Sequence, residues 1–233
     1  MRPLPENRIE LWSIDLAGPV ERVERLARVL SEDERRRAER FRFDVHRHRF
    51  IVGRAAMHEL LGSYLDRPPE SLHFHYGHRG KPDLPAAPWL HFNLSNSADL
   101  ALLGVTRVAP LGVDVEQLRP MSDLLEIARR FFARPEVDRL LGLPPERHVD
   151  GFFRCWTRKE AYLKAVGEGL AIPLDRFEVT LEPEAPARFL AFDDPAETVE
   201  AWSLHHLEPA PGFFGAVALR GDAAELTLDR WPG

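Results

Sequence analysis

The chain has 233 residues, 44% apolar and 29% charged, ordinary values for a globular protein able to bury one full core or two lobes of roughly 110 residues each. No apolar run approaches the roughly 20 residues of a membrane span, no signal-type segment opens the chain, and the single Cys155 excludes an internal disulfide and a cysteine-built zinc site. The net charge is −6, the 31 basic residues include only three lysines, and the whole reads as a soluble, cytoplasmic protein, with a monomer as the expected state.

Ile9 to Leu16 alternates as a strand does, and Val20 to Leu30 places Val23, Leu26, Ala27 and Leu30 on one helical face. Ser31-Glu32-Asp33-Glu34 has capping-box spacing, so a short helix begins there. From Ser31 to Arg54, eight arginines stand against five acids, a local basic stretch able to bind an anion. A helix follows from Asp44 to about Leu65, ended by Arg67-Pro68-Pro69. Strands are expected at Leu72–Tyr76, His91–Leu94 and Leu100–Val105, with a Gly/Pro-rich turn from Gly77 to Pro88.

The second half repeats this order. A strand at Leu111–Gln117 leads to helices at Ser122–Phe132, Pro135–Leu141 and Asp150–Val166. Strands then follow near Phe177–Leu181, Ala187–Ala191, Glu200–His205 and Phe214–Leu219. The pattern predicts an α+β chain of two similar lobes, residues 1–109 and 110–233, with a ligand cleft between them.

Three segments carry chemistry. In Gly112-Val113-Asp114-Val115-Glu116, strand periodicity sends Asp114 and Glu116 to one side, where two carboxylates repel unless a cation or solvent screens them. In Trp156-Thr157-Arg158-Lys159-Glu160-Ala161-Tyr162-Leu163-Lys164, Glu160 and Lys164 lie at i and i+4. On an ordinary helix that is a surface salt bridge of a few tenths of a kcal/mol. The lysine census argues for more, because a chain that avoids lysine keeps two of its three here, and arginine cannot replace a compact ammonium with a transferable proton. With the Asp-x-Glu strand, Glu160 completes three carboxylates, a hard-cation set suited to Mg²⁺. Gly77-His78-Arg79-Gly80-Lys81-Pro82, followed by Phe92-Asn93-Leu94-Ser95-Asn96-Ser97, is a glycine turn and a hydroxyl- and amide-rich strand able to cradle a nucleotide and its phosphates.

In this order, and with Phe41-Arg42-Phe43 and Arg130-Phe131-Phe132 between them, these motifs resemble the 4′-phosphopantetheinyl transferases of the larger, two-lobed, single-chain class. The resemblance runs from about Leu30 to Leu174 and implies that family's fold, two lobes packed as a pseudo-dimer. It implies transfer of phosphopantetheine from coenzyme A to a serine of an apo acyl or peptidyl carrier protein, with release of adenosine 3′,5′-bisphosphate. By residue match, Asp114, Glu116 and Glu160 hold Mg²⁺, and Lys164 contacts the diphosphate and serves the leaving group. Gly80, Lys81 and Pro82 line the adenine end, Arg37 and Arg49 take the 3′-phosphate, and Ser95, with Asn96 beside it, meets the diphosphate. Glu160 is the candidate for deprotonating the carrier serine, and Asp114 is counted with Glu160 and Lys164 as catalytic. Two positions depart from the family pattern: Asn96 stands where histidine is usual, and Glu34 where a phosphate-binding lysine can occur. The helix after the Asp-x-Glu strand, with Met121, Leu125, Arg129 and Arg134, is expected to face the carrier. Alternative readings are a Mg²⁺-dependent phosphodiesterase or nuclease on the same carboxylates, and a nucleic-acid-binding module built on residues 31–54. The resemblance assigns neither nucleic acid nor membrane as a partner.

Overall fold

The computed structural model describes residues 2–77, 80–167, 172–222 and 225–233. The first half contains β1 (Arg8–Asp15), α1 (Val20–Ala27), α2 (Glu32–Glu39), α3 (Asp44–Leu65), β2 (His75–Tyr76), β3 (Pro82–Asp83), β4 (His91–Ser97) and β5 (Leu100–Thr106). The second contains β6 (Leu111–Gln117), α4 (Leu124–Phe131), α5 (Arg134–Gly142), α6 (His148–Val166), β7 (Phe177–Val179), β8 (Phe189–Phe192), β9 (Trp202–Leu207), β10 (Phe213–Arg220) and β11 (Glu225–Arg230).

Local chemistry sets the boundaries. Ser31 accepts from the Glu34 amide at 3.3 Å while the Glu34 carboxylate accepts from the Ser31 amide at 2.9 Å, a complete capping box that starts α2. α3 ends at Asp66, in the left-handed region at φ 54°, just before Pro68-Pro69. α6 ends at Gly167, φ 82°, whose amide returns to the Leu163 carbonyl.

Two sheets organise the chain: β11-β1-β5-β4 and β6-β10-β9. Strand periodicity divides each into two buried faces. Ile9 and Leu11 of β1 and Leu102 of β5 meet Leu111, Val113 and Val115 of β6 and Val217 and Leu219 of β10 in one cluster, so the sheets back onto each other. The opposite face of the first sheet packs Ile14, Ala101, Leu103 and Val105 with α1 and α3 residues such as Leu26, Val52 and Met57. The opposite face of the second packs Ala216 and Ala218 with Phe153, Ala161 and Leu163 of α6. The layers therefore run helix, sheet, sheet, helix, with α3 and α6 outermost. This is the two-lobed α+β plan expected, each lobe a sheet with a long helix on its outer side.

One part of the expected division is corrected. The sequence pattern ends its strands at Leu219 and assigns 110–233 to the second lobe. The structure instead returns β11 to the first sheet, parallel to β1 with Arg8 opposite Glu225, and buries Trp231 in the first lobe's core. Ion pairs from Arg8 to Glu225 (2.6 Å) and Arg2 to Asp229 (3.4 Å) fasten it. Six mostly exposed residues give little periodic signal, yet they cover what would be an open edge of β1.

Candidate active site

β6 and α6 approach each other more closely than any side chain on the facing strand position would permit. A Cβ on Gly112 would lie 2.0 Å from the Ala161 carbonyl oxygen and 2.2 Å from the Ala165 amide nitrogen. Glycine is therefore what brings Asp114 and Glu116, two and four residues along the same face, beside Glu160 and Lys164.

The first lobe meets β6 through side chains in the same step of two. Asn93 accepts from the Val113 amide at 2.8 Å, Ser95 donates to Asp114 Oδ1 at 3.0 Å, and Ser97 donates to Glu116 Oε2 at 2.6 Å while accepting from the Gln117 amide at 3.1 Å. Of these, the sequence pattern singles out Ser95 alone. Asn93 and Ser97 become legible once β4 is a strand, because they share its face. Asn96 points the other way and is exposed, so it does not stand beside Ser95 at this site.

Lys164 is the centre of the arrangement. Its Nζ donates to Ser95 Oγ and to Asp114 Oδ1, each at 2.7 Å. The i,i+4 surface salt bridge with Glu160 is thus not what holds it; its partner lies on β6. Burial pushes the Asp114 carboxyl up against the opposing pull of Lys164. Burial, with the charge of Asp114 added, also pushes up Glu116 and Glu160. Asp114 Oδ2 is buried without a hydrogen-bond partner among the described residues.

As the side chains stand, no group of three His, Cys, Asp or Glu among the described residues is gathered closely enough to grip a metal. The Lys164 ammonium lies against Asp114 as its counter-charge. The donor set nonetheless fits a hard divalent cation: all-oxygen, mutually repelling, with one buried carboxylate oxygen unused. Mg²⁺ takes few protein ligands and completes its shell with water and phosphate, so a loose set of carboxylates suits it.

The other expected residues fall into two groups. Gly80, Lys81 and Pro82 share a cavity of about 220 Å³ with Asn93, Leu163 and Lys164, which brings the glycine turn to the carboxylate site. His78 and Arg79 of that turn lie outside the described residues. Lys81 itself is committed: its Nζ donates to the carbonyls of Lys164 (2.5 Å), Leu111 (3.1 Å) and Ala165 (3.5 Å), and burial lowers it to about 8. Arg37 lines a separate cavity of about 640 Å³ with Arg36, Arg40, Phe41 and Tyr76. Arg49 is not among its lining residues; it pairs with Asp99 at 2.8 Å. Glu34, which stands where a lysine can occur, is 3% exposed and bound to Arg54 (2.5 Å) and His58 (2.8 Å). Burial pushes its carboxyl up, but the His58 hydrogen bond and the Arg54 charge prevail and hold it at about 2.

Lys159, marked by the same lysine census, belongs elsewhere. It is fully buried, paired with Glu136 at 2.8 Å and bonded to the carbonyls of Leu174 and Phe177. Glu136 in turn accepts from the amides of Ala133 and Val179, so this pair ties α5, α6 and β7 together.

Two family models match the chain: "4′-phosphopantetheinyl transferase, N-terminal" at residues 19–107 and "4′-phosphopantetheinyl transferase superfamily" at residues 110–218. The 4′-phosphopantetheinyl transferase HetI of a Nostoc species is 43% identical over 94% of this chain and 90% of its own. The chain belongs to the 4′-phosphopantetheinyl transferase superfamily. The transferase psf-1 of Bacillus pumilus is 33% identical over 93% of this chain and 90% of its own. Sfp of Bacillus subtilis is 32% identical over 76% and 78%. The second family match contains Asp114, Glu116, Glu160 and Lys164, and the first contains Arg37, Lys81 and Ser95. In the basic stretch Arg36, Arg47, Arg49 and Arg54 are each paired with a carboxylate. Among the described residues no helix is long and apolar enough to cross a membrane.

Proposed function

We propose that this transferase moves the phosphopantetheine of coenzyme A onto a serine of an apo acyl or peptidyl carrier protein, with Mg²⁺ held by Asp114, Glu116 and Glu160. The observation that carries the reading is the Lys164 ammonium bridging Ser95 and Asp114, with the ionisation of Asp114, Glu116 and Glu160 each opposed by burial. The cation supplies neutralisation of diphosphate charge when bound. The chain's own groups supply position and protons. Ser95 and Lys164 donate to diphosphate oxygens, and Lys164 stabilises the bridging oxygen as its bond to phosphorus breaks. Glu160, whose basicity is raised by burial, accepts the proton of the attacking serine as the new oxygen–phosphorus bond forms. The departing adenosine 3′,5′-bisphosphate leaves its adenine end by Gly80, Lys81 and Pro82, and its 3′-phosphate toward Arg37.

The carrier approaches over α4. Its outward side carries Phe131, 38% exposed, with Arg129, Arg130 and Arg134 exposed beside it, whereas Leu124 is core. An acidic, apolar-bearing helix is the complement of that face. The protein acts as a monomer in this reading, without nucleic acid. The test is incubation with coenzyme A, Mg²⁺ and a panel of apo-carriers, read by intact mass. A carrier gaining one phosphopantetheine supports the reading. Coenzyme A cleaved at the same rate without a carrier would instead establish the phosphodiesterase.

A further inference from the structure

The basic cavity beside α2 presents an apparent contradiction. Its lining includes Arg36, Arg37 and Arg40, as a phosphate site should, but also Asp33, which pairs with Arg36 at 2.6 Å, and Glu34. An ionised carboxylate facing a phosphate would oppose binding. The geometry resolves this, because the Glu34 carboxylate is turned inward and saturated. Oε2 accepts from the Ser31 amide at 2.9 Å and meets His58 Nε2 at 2.8 Å; Oε1 accepts from Arg54 Nε at 2.6 Å and from the Tyr76 hydroxyl at 3.4 Å. The Arg54 guanidinium, itself 8% exposed, also donates to the Tyr76 hydroxyl and lies 5.1 Å from the Phe74 ring centre. The other His58 nitrogen is fixed 2.9 Å from the Pro69 carbonyl oxygen.

This network joins three elements: α2, α3 and β2. Through the capping box Glu34 sets the first turn of α2, whose later residues are Arg36 and Arg37, with Arg40 as the cap residue that ends the helix. Through Arg54 it is anchored to α3. Through Arg54 and Tyr76 it fixes β2, the strand that runs directly into the Gly77–Lys81 turn. The α2 arginines and Tyr76, at the end of β2, line one cavity.

We propose that Glu34 is a positioning residue which, by clamping Arg54 and Tyr76, sets the spacing between the α2 arginines and the end of β2 across their shared cavity and so selects a donor bearing a phosphomonoester on its nucleoside. The inference rests on the reading that coenzyme A is the donor. Arg54 is the counter-charge, and His58 a second hydrogen-bond partner, that let a carboxylate stand at the wall of an anion cavity. Removing the carboxylate leaves the arginine side chains of α2 present but no longer held in register with Tyr76 and β2. Its loss therefore weakens selection for the phosphate rather than transfer itself.

The experiment measures transfer to one apo-carrier with coenzyme A and with 3′-dephospho-coenzyme A as donors, in wild type, Glu34→Gln and Tyr76→Phe. The wild type should prefer coenzyme A in kcat/KM. Both variants should lower that preference at least about fivefold, through the KM for coenzyme A, with the carrier KM unmoved. A purely structural defect would instead lower active enzyme for both donors equally and leave the ratio intact. Circular dichroism and thermal melting check the fold; if Glu34→Gln does not fold, Tyr76→Phe decides, since it removes one hydroxyl from the network. Variants that fold and keep the wild-type donor ratio overturn the inference while leaving the transferase reading standing. A wild type that uses both donors equally removes the phosphate site and this inference with it. A wild type that transfers nothing from either donor removes the function first.

Discussion

Gly112 is where strand and helix meet backbone to backbone, and Gly112→Ala tests whether that approach builds the site. The added Cβ would have to retreat from 2.0 Å to roughly 3.4 Å from the Ala161 oxygen, a movement of about 1.4 Å. The obstacles are the Ala161 carbonyl, the Ala165 amide and the Lys164 carbonyl carbon, none of which is the flexible end of a side chain. β6 cannot absorb the movement alone, since it is hydrogen-bonded to β10 on one side and to Asn93, Ser95 and Ser97 on the other. Overpacking of this kind costs about 1–3 kcal/mol, which in a chain of this length lowers Tm by about 2–12 °C. Catalysis should suffer more. Displacing Asp114 and Glu116 by about 1 Å relative to Glu160 and Lys164 predicts a loss on the order of 100-fold in transfer rate. The assays are differential scanning fluorimetry and carrier modification followed by mass. A Gly112→Ala protein with wild-type Tm and wild-type rate would refute the claim that this contact places the carboxylates.

Three further outcomes are expected. Lys164→Arg should lose at least about tenfold in rate, roughly 1.4 kcal/mol of barrier, because a guanidinium cannot set one compact donor group 2.7 Å from both Ser95 and Asp114; unchanged kinetics would make Lys164 an ordinary ion-pair partner. Asp114→Ala should abolish Mg²⁺-dependent transfer with the fold intact by circular dichroism, and chelation of divalent ions should do the same reversibly in wild type; near wild-type turnover in the variant would remove the metal assignment. For Glu34, a carboxyl held at about 2 when folded against 4.5 as its ordinary value contributes stability that is complete above about pH 4.5 and is lost as pH falls toward 2. The stability gap between wild type and Glu34→Gln in urea should therefore shrink across that window, and a gap independent of pH would show that the charge of Glu34 contributes nothing.

Much of this site could be read before folding because its motifs are dense in residues that local physics constrains. Asp-x-Glu places two carboxylates on one strand face whatever the tertiary structure, and Glu160 with Lys164 share a helix face by periodicity alone. The capping box at Ser31 was legible for the same reason. What lay hidden is long-range pairing. Nothing within β4 announces that Asn93 and Ser97 meet β6, since each bond spans about 20 positions of sequence. Glu34 could be read as the capping-box residue and as a departure from the family pattern, but not as a buried hub, because Arg54 and His58 approach it from α3 and Tyr76 from β2. β11 gave no warning, as an edge strand with polar residues carries little periodicity and is recruited by the unpaired edge of β1.

The lysines show how structure divides what composition can only flag. All three converge on α6, and each has an ammonium that several oxygens surround. Lys81 donates to three backbone carbonyls at the end of α6 and the start of β6. Lys159 reaches two carbonyls and the Glu136 carboxylate with its side chain fully buried. An ammonium has three donors. In these two residues all three have acceptors, which a planar guanidinium could not satisfy from the same position. Lysine is needed there for packing and polar satisfaction, and neither ammonium has a donor left for substrate. Lys164 differs: among the described residues its Nζ meets two acceptors, and its side chain is 29% exposed. Avoidance of lysine along the chain thus marks three positions where a compact ammonium sits among oxygen acceptors, and the count of acceptors separates Lys81 and Lys159, which are filled, from Lys164, the one proposed above to meet the diphosphate.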